Sequence, residues 1–244
     1  GYLSGARGWD AHGITAALER NDWQRGGVYL AGPVGAQLIP AAGRGAGNKF
    51  YAADLASEAP IMLQVMQLQQ VLHAINSAHP GEPIVLVGHS AGGVVARTAL
   101  VQGNATSVRA LITIASPHLG TARAEQALDA TDIPFPLSIM ADVFAGETYD
   151  IARRSRGLYV DLVRPRPGTL LYWLNAQSHP EIKYFSIIRG EATRGWGDYV
   201  VPGYSQDMNN VPALRGRSTL VTVPADHFLT PMDGSIIVNL IADL

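Results

Sequence analysis

Five consecutive residues, Gly88-His89-Ser90-Ala91-Gly92, set a serine between glycines in the pattern G-x-S-x-G. A serine hydroxyl is a poor nucleophile until a base takes its proton, so acyl transfer at Ser90 would need an imidazole within hydrogen-bond reach and a third group to orient that imidazole. Seven histidines are available for the first role and 20 acidic residues for the second. The chain has no cysteine, which removes thiolate catalysis, disulfides and cysteine-bound zinc. No pair of histidines stands at helical ligand spacing and no acidic cluster suggests calcium, so no metal is expected. Serine-based acyl transfer needs no cofactor either.

The setting of Ser90 separates it from an ordinary glycine turn. Ile84-Val85-Leu86-Val87 just before it is a continuous apolar run, which in a strand means burial on both faces, as in a parallel sheet. Gly92 to Gln102 just after it reads as a helix with Val94, Val95 and Leu100 apolar, stopped by Gly103-Asn104. A sharp turn from strand to helix holds its central residue at strained backbone angles, and glycines flank it because side chains there would collide with backbone. Ser90 Oγ then projects above the carboxyl edge of the sheet. The new helix begins with unsatisfied N–H groups, and that of Ala91 can donate to a developing oxyanion.

The elements that must position this turn follow the same alternation. A short amphipathic helix from Asp10 carries Ile14, Ala17 and Leu18, and Val28 to Leu30 is a brief strand. Gly32 to Gly47 is a glycine-rich loop too irregular for a phosphate-binding pattern. Ile61, Val65, Leu68, Leu72 and Ile75 predict a long helix with Gln64, Gln67 and Gln70 on its far side. Ala110–Ile114, Lys183–Ile188 and Thr219–Val223 read as strands, and Ile236, Ile237, Leu240 and Ile241 as a closing helix after Asp233. Apolar strands alternating with helices predict right-handed crossovers, hence an α/β fold with a mainly parallel central sheet covered by helices on both faces. Between Thr121 and Pro180 the pattern lapses into proline-interrupted segments. The expected organisation is a core of residues 1–120 and 181–244 with a cap or lid inserted at 121–180.

A chain of 244 residues, 47% hydrophobic and 16% charged, suits one such core. A net charge of -2 and the lack of a Lys or Arg run argue against a nucleic-acid partner and for a small molecule or lipid. No stretch reaches the roughly 18 consecutive apolar residues of a membrane span, and the compartment stays open. Arg153, Arg154 and Arg156 read as a solvated face.

With Gly88 to Gly93 (GHSAGG) in this setting, the chain resembles the α/β-hydrolase superfamily, and more narrowly its bacterial lipases and lipase-like esterases. Ser116-Pro117-His118-Leu119-Gly120-Thr121 is similar to the S/T-P-H-x-G-T segment of triacylglycerol lipases and related lipid-deacylating proteins. The resemblance covers the chain apart from the cap. It implies the order Ser, acid, His, with the histidine on a loop after the last strand, a slot that His227 fills. His89 is expected to brace the turn, His118 to line the site, and His12, His73, His79 and His179 to be surface or half-buried residues.

For the acid the resemblance favours Asp198, in the run Gly195-Trp196-Gly197-Asp198 before Val200-Val201-Pro202; Asp226, Glu191 and Asp207 are its rivals. A second oxyanion donor is expected after an earlier strand, where Gly1-Tyr2 fits, so the N–H of Tyr2 joins that of Ala91, with Leu3 as the nearest alternative. The strand before such a loop lies beside the nucleophile strand in the superfamily, and a segment ahead of residue 1 is therefore expected to supply it. The resemblance implies a serine carboxylic ester hydrolase working through an acyl-enzyme, acting on an ester or lipid with transient contact to a lipid interface. Acyl transfer to an alcohol, hydrolysis of a thioester, lactone or polyester, and a non-catalytic binding module remain the alternatives. In the cap, Leu137, Ile139, Met140, Val143, Phe144 and Leu170 to Leu174 either line an acyl pocket or anchor the cap; Trp196 and Tyr199 flank the acid.

Overall fold

The computed structural model describes residues 5–32, 35–42, 47–103, 107–131, 153–191 and 195–244. Two short helices open the chain, α1 (Arg7–Ala11) and α2 (Ile14–Glu19), where the spacing predicts one. Gly13 divides them with φ 74°, a left-handed conformation that glycine adopts without cost. Strand β1 (Gln24–Gly32) is longer than expected and is followed by β2 (Gly35–Pro40) and β3 (Lys49–Asp54). The glycine-rich segment therefore holds a strand: β2 pairs antiparallel with β1, and β3 pairs parallel with β1 on its other side.

Helix α3 (Ile61–Ala78) follows the predicted apolar spacing, with Ile61, Val65, Leu68 and Leu72 buried. The glutamines are not a solvated face throughout. Gln64 is buried and donates to the Ala59 carbonyl, while Gln67 accepts from the Ala56 N–H, so both tie down the turn that leads into the helix. Then come β4 (Ile84–His89), α4 (Ala91–Val101) and β5 (Val108–Ile114), the strand, turn and helix of the motif and the strand beside them. Helices α5 (Ala122–Thr131), α6 (Arg156–Asp161) and α7 (Leu170–Asn175) precede β6 (Lys183–Glu191) and the short β7 (Gly195–Trp196). A single-turn helix α8 (Gly203–Gln206), strand β8 (Ser218–Val223) and helix α9 (Pro231–Ala242) complete the order.

Strands β4, β5, β6 and β8 are parallel in that order, with β7 antiparallel to the end of β6. Side chains of a strand alternate between faces, and β5 divides its residues accordingly. Leu111 packs with α3, α4 and the 158–174 segment, whereas Ala110, Ile112 and Ile114 pack with α2 and α9. Helices thus cover both faces.

One expectation about this sheet needs correction. Ile84 to Val87 are half-buried, while Ala110, Leu111, Ile112 and Ile114 on the next strand are fully buried. The cause lies in pairing: among the described residues β4 has a strand on one side only, and so does β3, because no ladder joins the β2-β1-β3 sheet to the β4 sheet. An apolar run therefore signalled a parallel strand correctly and its burial incorrectly.

The described part of the 121–180 region is built into the body of the protein. Leu158, Leu162, Val163, Leu171 and Leu174 share one apolar cluster with α3 and α4, so Leu171 and Leu174 are anchors. Tyr172 and Trp173 on the same helix are exposed. Arg154 is exposed and pairs with Glu58. Leu137, Ile139, Met140, Val143 and Phe144 lie outside the described residues, as does the side chain of Trp196.

Candidate active site

Ser90 stands between β4 and α4 with φ 53° and ψ -130°, a left-handed backbone that a residue with a Cβ adopts only when its surroundings impose it. Three contacts impose it. The Ser90 N–H donates to the Ile114 carbonyl at 2.9 Å, fixing the turn against β5. A Cβ on Gly88 would meet Gly93 Cα at 2.6 Å, and one on Gly93 would meet Ser116 Oγ at 2.1 Å. The helix therefore crosses the strand end so closely that Gly93, outside the five-residue motif, is as necessary as Gly88. Ala91 is the first residue of α4, and its N–H belongs to the open first turn of the helix.

The three side chains singled out for acyl transfer meet here. His227 Nε2 lies 2.9 Å from Ser90 Oγ, and His227 Nδ1 lies 2.9 Å from Asp198 Oδ2. His227 comes from the loop between β8 and α9 and Asp198 from the loop after β7. The Asp198 carboxylate is enclosed on all sides. Its Oδ1 accepts the N–H groups of Val200 and Val201 at 2.7 and 2.6 Å, and its Oδ2 accepts from His227 and from Gln206 Nε2. Burial pushes this carboxyl up, but the bond from His227 and the two backbone donors outweigh burial and hold it below the ordinary aspartate value. An ionised carboxylate only accepts, so the bond to Asp198 takes a proton on His227 Nδ1 and leaves Nε2 as the nitrogen that faces the serine hydroxyl.

Two of the rivals are placed elsewhere. Asp226 is exposed, Asp207 accepts from the Asn209 N–H at the start of a single 3-10 turn, and the side chain of Glu191 lies outside the described residues. Tyr2 and Leu3 also lie outside them, so of the two oxyanion donors only Ala91 is placed.

His89 does a different job from the one its neighbour suggests. Its Nε2 bonds the His227 carbonyl at 2.8 Å, and the two rings stand 5.2 Å apart. It therefore braces the His227 loop rather than the Ser90 turn. Burial lowers its pKa to about 3, so it stays neutral and donates through Nε2. His118 does not line the site. It is fully buried, with its N–H donating to the Ser205 carbonyl and its ring bonded to Thr113 Oγ1, and burial keeps it neutral. The 116–121 segment is a buttress behind α4: Leu119 N–H donates to Ser205 Oγ, and Ser205 Oγ donates to the Gly120 carbonyl. His179 is buried as well, while Tyr51 bonds His79 from the hydroxyl.

Three residues to which the sequence assigned no part in the site complete the frame. Arg189, on β6, is fully buried and grips Asp233 with two bonds of 2.7 Å, and it also donates to the Phe228 carbonyl at 3.0 Å. Asp233 in turn accepts from the N–H and hydroxyl of Thr230, closing a capping box at the start of α9. Gln206 accepts the Arg189 N–H at 2.8 Å and donates to Asp198 Oδ2. Sequence marks Asp233 only as the start of the closing helix, and it marks neither Arg189 nor Gln206, because the bonds that join the two loops run from Arg189 to residues 17 to 44 positions away. At the rim, Tyr199 and Phe228, neighbours of the acid and the base loops, are 78% and 68% exposed.

A sheet of parallel strands between helices, a strained serine at the end of one strand and an acid and a histidine from the loops of later ones define the architecture. The chain has the α/β-hydrolase fold. Solved structures of that fold align over its whole length: the mature form of lipase BlEst2 from Bacillus licheniformis is 17% identical, with 88% of that chain covered and a TM-score of 0.62. A gene product of Listeria innocua is 14% identical, with 92% covered and a TM-score of 0.67. An esterase from Exiguobacterium antarcticum is 12% identical, with 88% covered and a TM-score of 0.56. The family model of the PGAP1-like alpha/beta domain matches residues 44–131, the stretch that includes the Ser90 turn. A search of the curated proteins gives no match.

Proposed function

We propose that this α/β-hydrolase-fold protein is a serine carboxylic ester hydrolase in which Ser90 is the nucleophile, His227 the base and Asp198 the residue that orients and charges the base. The unbroken relay from Ser90 Oγ through His227 to Asp198, two contacts of 2.9 Å, carries the reading. Ser90 Oγ bonds to the ester carbonyl carbon as its proton passes to His227 Nε2, and the carbonyl oxygen takes the electron pair. Ala91 N–H donates to that oxyanion, and we assign the second donor to Tyr2; one such donor is worth about 3 kcal/mol of transition-state stabilisation. The tetrahedral species collapses, the alcohol leaves with the proton from His227, and an acyl-Ser90 remains. Water then attacks it, with its proton taken by His227, and the acid leaves as Ser90 regains its hydrogen.

Three observations bear on the substrate class. The 116–121 segment resembles that of lipases, two of the structurally similar proteins are named as a lipase and an esterase, and the rim carries exposed Tyr199 and Phe228. These favour an ester with an apolar acyl group, met at or near a lipid interface.

Ser90→Ala should lower hydrolysis of a p-nitrophenyl ester by about 10⁴-fold or more with the fold intact by circular dichroism. A fluorophosphonate should label the native protein at Ser90 and leave the variant unlabelled. Retention of most activity by the variant would sink the mechanism.

A further inference from the structure

Reading Ser90, His227 and Asp198 as a working triad leaves open what keeps two separate loops in register. The acid arrives after β7 and the base after β8, and the two residues are 29 positions apart. We propose that Gln206 is a positioning residue of the triad, holding the Asp198 carboxylate from behind while tying it to the strand that also holds the His227 loop.

The geometry is specific to a residue with both a donor and an acceptor. Gln206, 1% exposed on α8, donates from Nε2 to Asp198 Oδ2 at 3.1 Å and to the Val201 carbonyl at 2.7 Å, and accepts the Arg189 N–H at 2.8 Å. Arg189 then reaches the other loop, donating to the Phe228 carbonyl next to the base and to Asp233 at the start of α9. One β6 residue thus meets the acid loop through its backbone and the base loop through its side chain. Gln206 Nε2 and His227 Nδ1 share one carboxylate oxygen, so removing the first donor leaves more of the oxygen's charge for the second. Among the described residues, the charged and titratable groups around the pair are His89 from β4, Arg189 from β6 matched by Asp233 from α9, and exposed Asp226 beside His227.

The test compares Gln206→Leu, which removes donor and acceptor, with Gln206→Glu, which keeps the shape and the acceptor but turns the donor into a second carboxylate. Steady-state hydrolysis of a p-nitrophenyl ester is measured from pH 5 to pH 9, with rates normalised to the fraction of protein labelled by a fluorophosphonate. In both variants kcat should fall by about tenfold with KM within twofold of the native value. The acid limb of kcat/KM should move to higher pH, by about half a unit for Leu and by more for Glu.

A merely structural role would lower the labelled fraction and the melting temperature while kcat per labelled site and the limb stayed in place, and that result overturns the proposal. Where Gln206→Leu does not accumulate as folded protein, the isosteric Gln206→Glu decides alone. A native protein that neither labels nor hydrolyses esters would refute the triad reading itself, whereas an active native protein with unaltered variants would refute only the role of Gln206.

Discussion

At the scale of single residues, the site is governed by how little room the Ser90 turn leaves. The positive φ of Ser90 is held by its bond to the Ile114 carbonyl and by the contact of α4 with the end of β4 and with Ser116. Gly93 sits where a methyl group would overlap Ser116 Oγ and Cβ, at 2.1 and 2.7 Å. Both groups are buried, so the overlap can be relieved only by moving the helix or rotating the serine away. Gly93→Ala should therefore destabilise the protein by about 1–3 kcal/mol in chemical denaturation, the ordinary cost of overpacking a tight core. It should also depress ester hydrolysis, because the same shift moves Ser90 relative to His227. An alanine variant as stable and as active as the native protein would show that the crossing is looser than its contacts imply.

At the scale of elements, the three residues of the proposed triad lie on turns and loops, and strand ends fix their positions. Ser90 leaves β4, Asp198 follows β7, and His227 lies between β8 and α9. Arg189 at the end of β6 joins the last two, and its ion pair with Asp233 has both side chains at 0% exposure. A buried pair adds little net stability over an apolar substitute, but breaking it leaves one charge unmatched in the interior. Asp233→Asn should therefore cost about 3–5 kcal/mol of folding free energy, read from urea denaturation. Replacing both partners, Arg189→Met with Asp233→Leu, should recover much of that loss while leaving hydrolysis impaired, since the grip on the Phe228 carbonyl goes with the arginine. Equal losses in the single and double variants would contradict this account of the pair.

At the scale of the whole molecule, the interior holds three histidines that do not take part in the proton relay. Burial lowers His89 to about 3 and His179 to about 4, and drives His118 well below its ordinary value. In the unfolded chain each titrates near 6.5. Between that value and the folded ones the unfolded state binds more protons, so stability is full above about pH 6.5 and falls steadily as pH drops toward 4. The depressed Asp198 carboxyl acts in the same direction at lower pH, contributing stability above its unfolded value of about 3.9 and losing it as pH falls through the folded one. The melting temperature should thus decline from pH 7 to pH 4, and His118→Asn should flatten the decline. A melting temperature independent of pH over that range would show that these imidazoles are hydrated in the folded protein.

The residues themselves determined the class of fold and pointed to the Ser90 turn: a glycine-flanked serine between an apolar strand and a helix needs only neighbours in sequence to be read. The resemblance carried the choice of Asp198 and His227, whose side chains the folded chain brings to one point although Ser90 and His227 are 137 positions apart. Strand β2 was illegible because glycine-rich sequence hides a strand whose partner lies outside it, and β3 because six residues without regular apolar alternation carry no strand signal of their own; the half-burial of Ile84 to Val87 depends on which strands lie alongside. Tertiary structure alone decided that His89 serves the base, that His118 supports α4 from behind, and that Arg189, Asp233 and Gln206 form the frame. Such roles are settled by contacts between segments remote in sequence, and local pattern carries no information about which remote groups will satisfy one another once water is excluded.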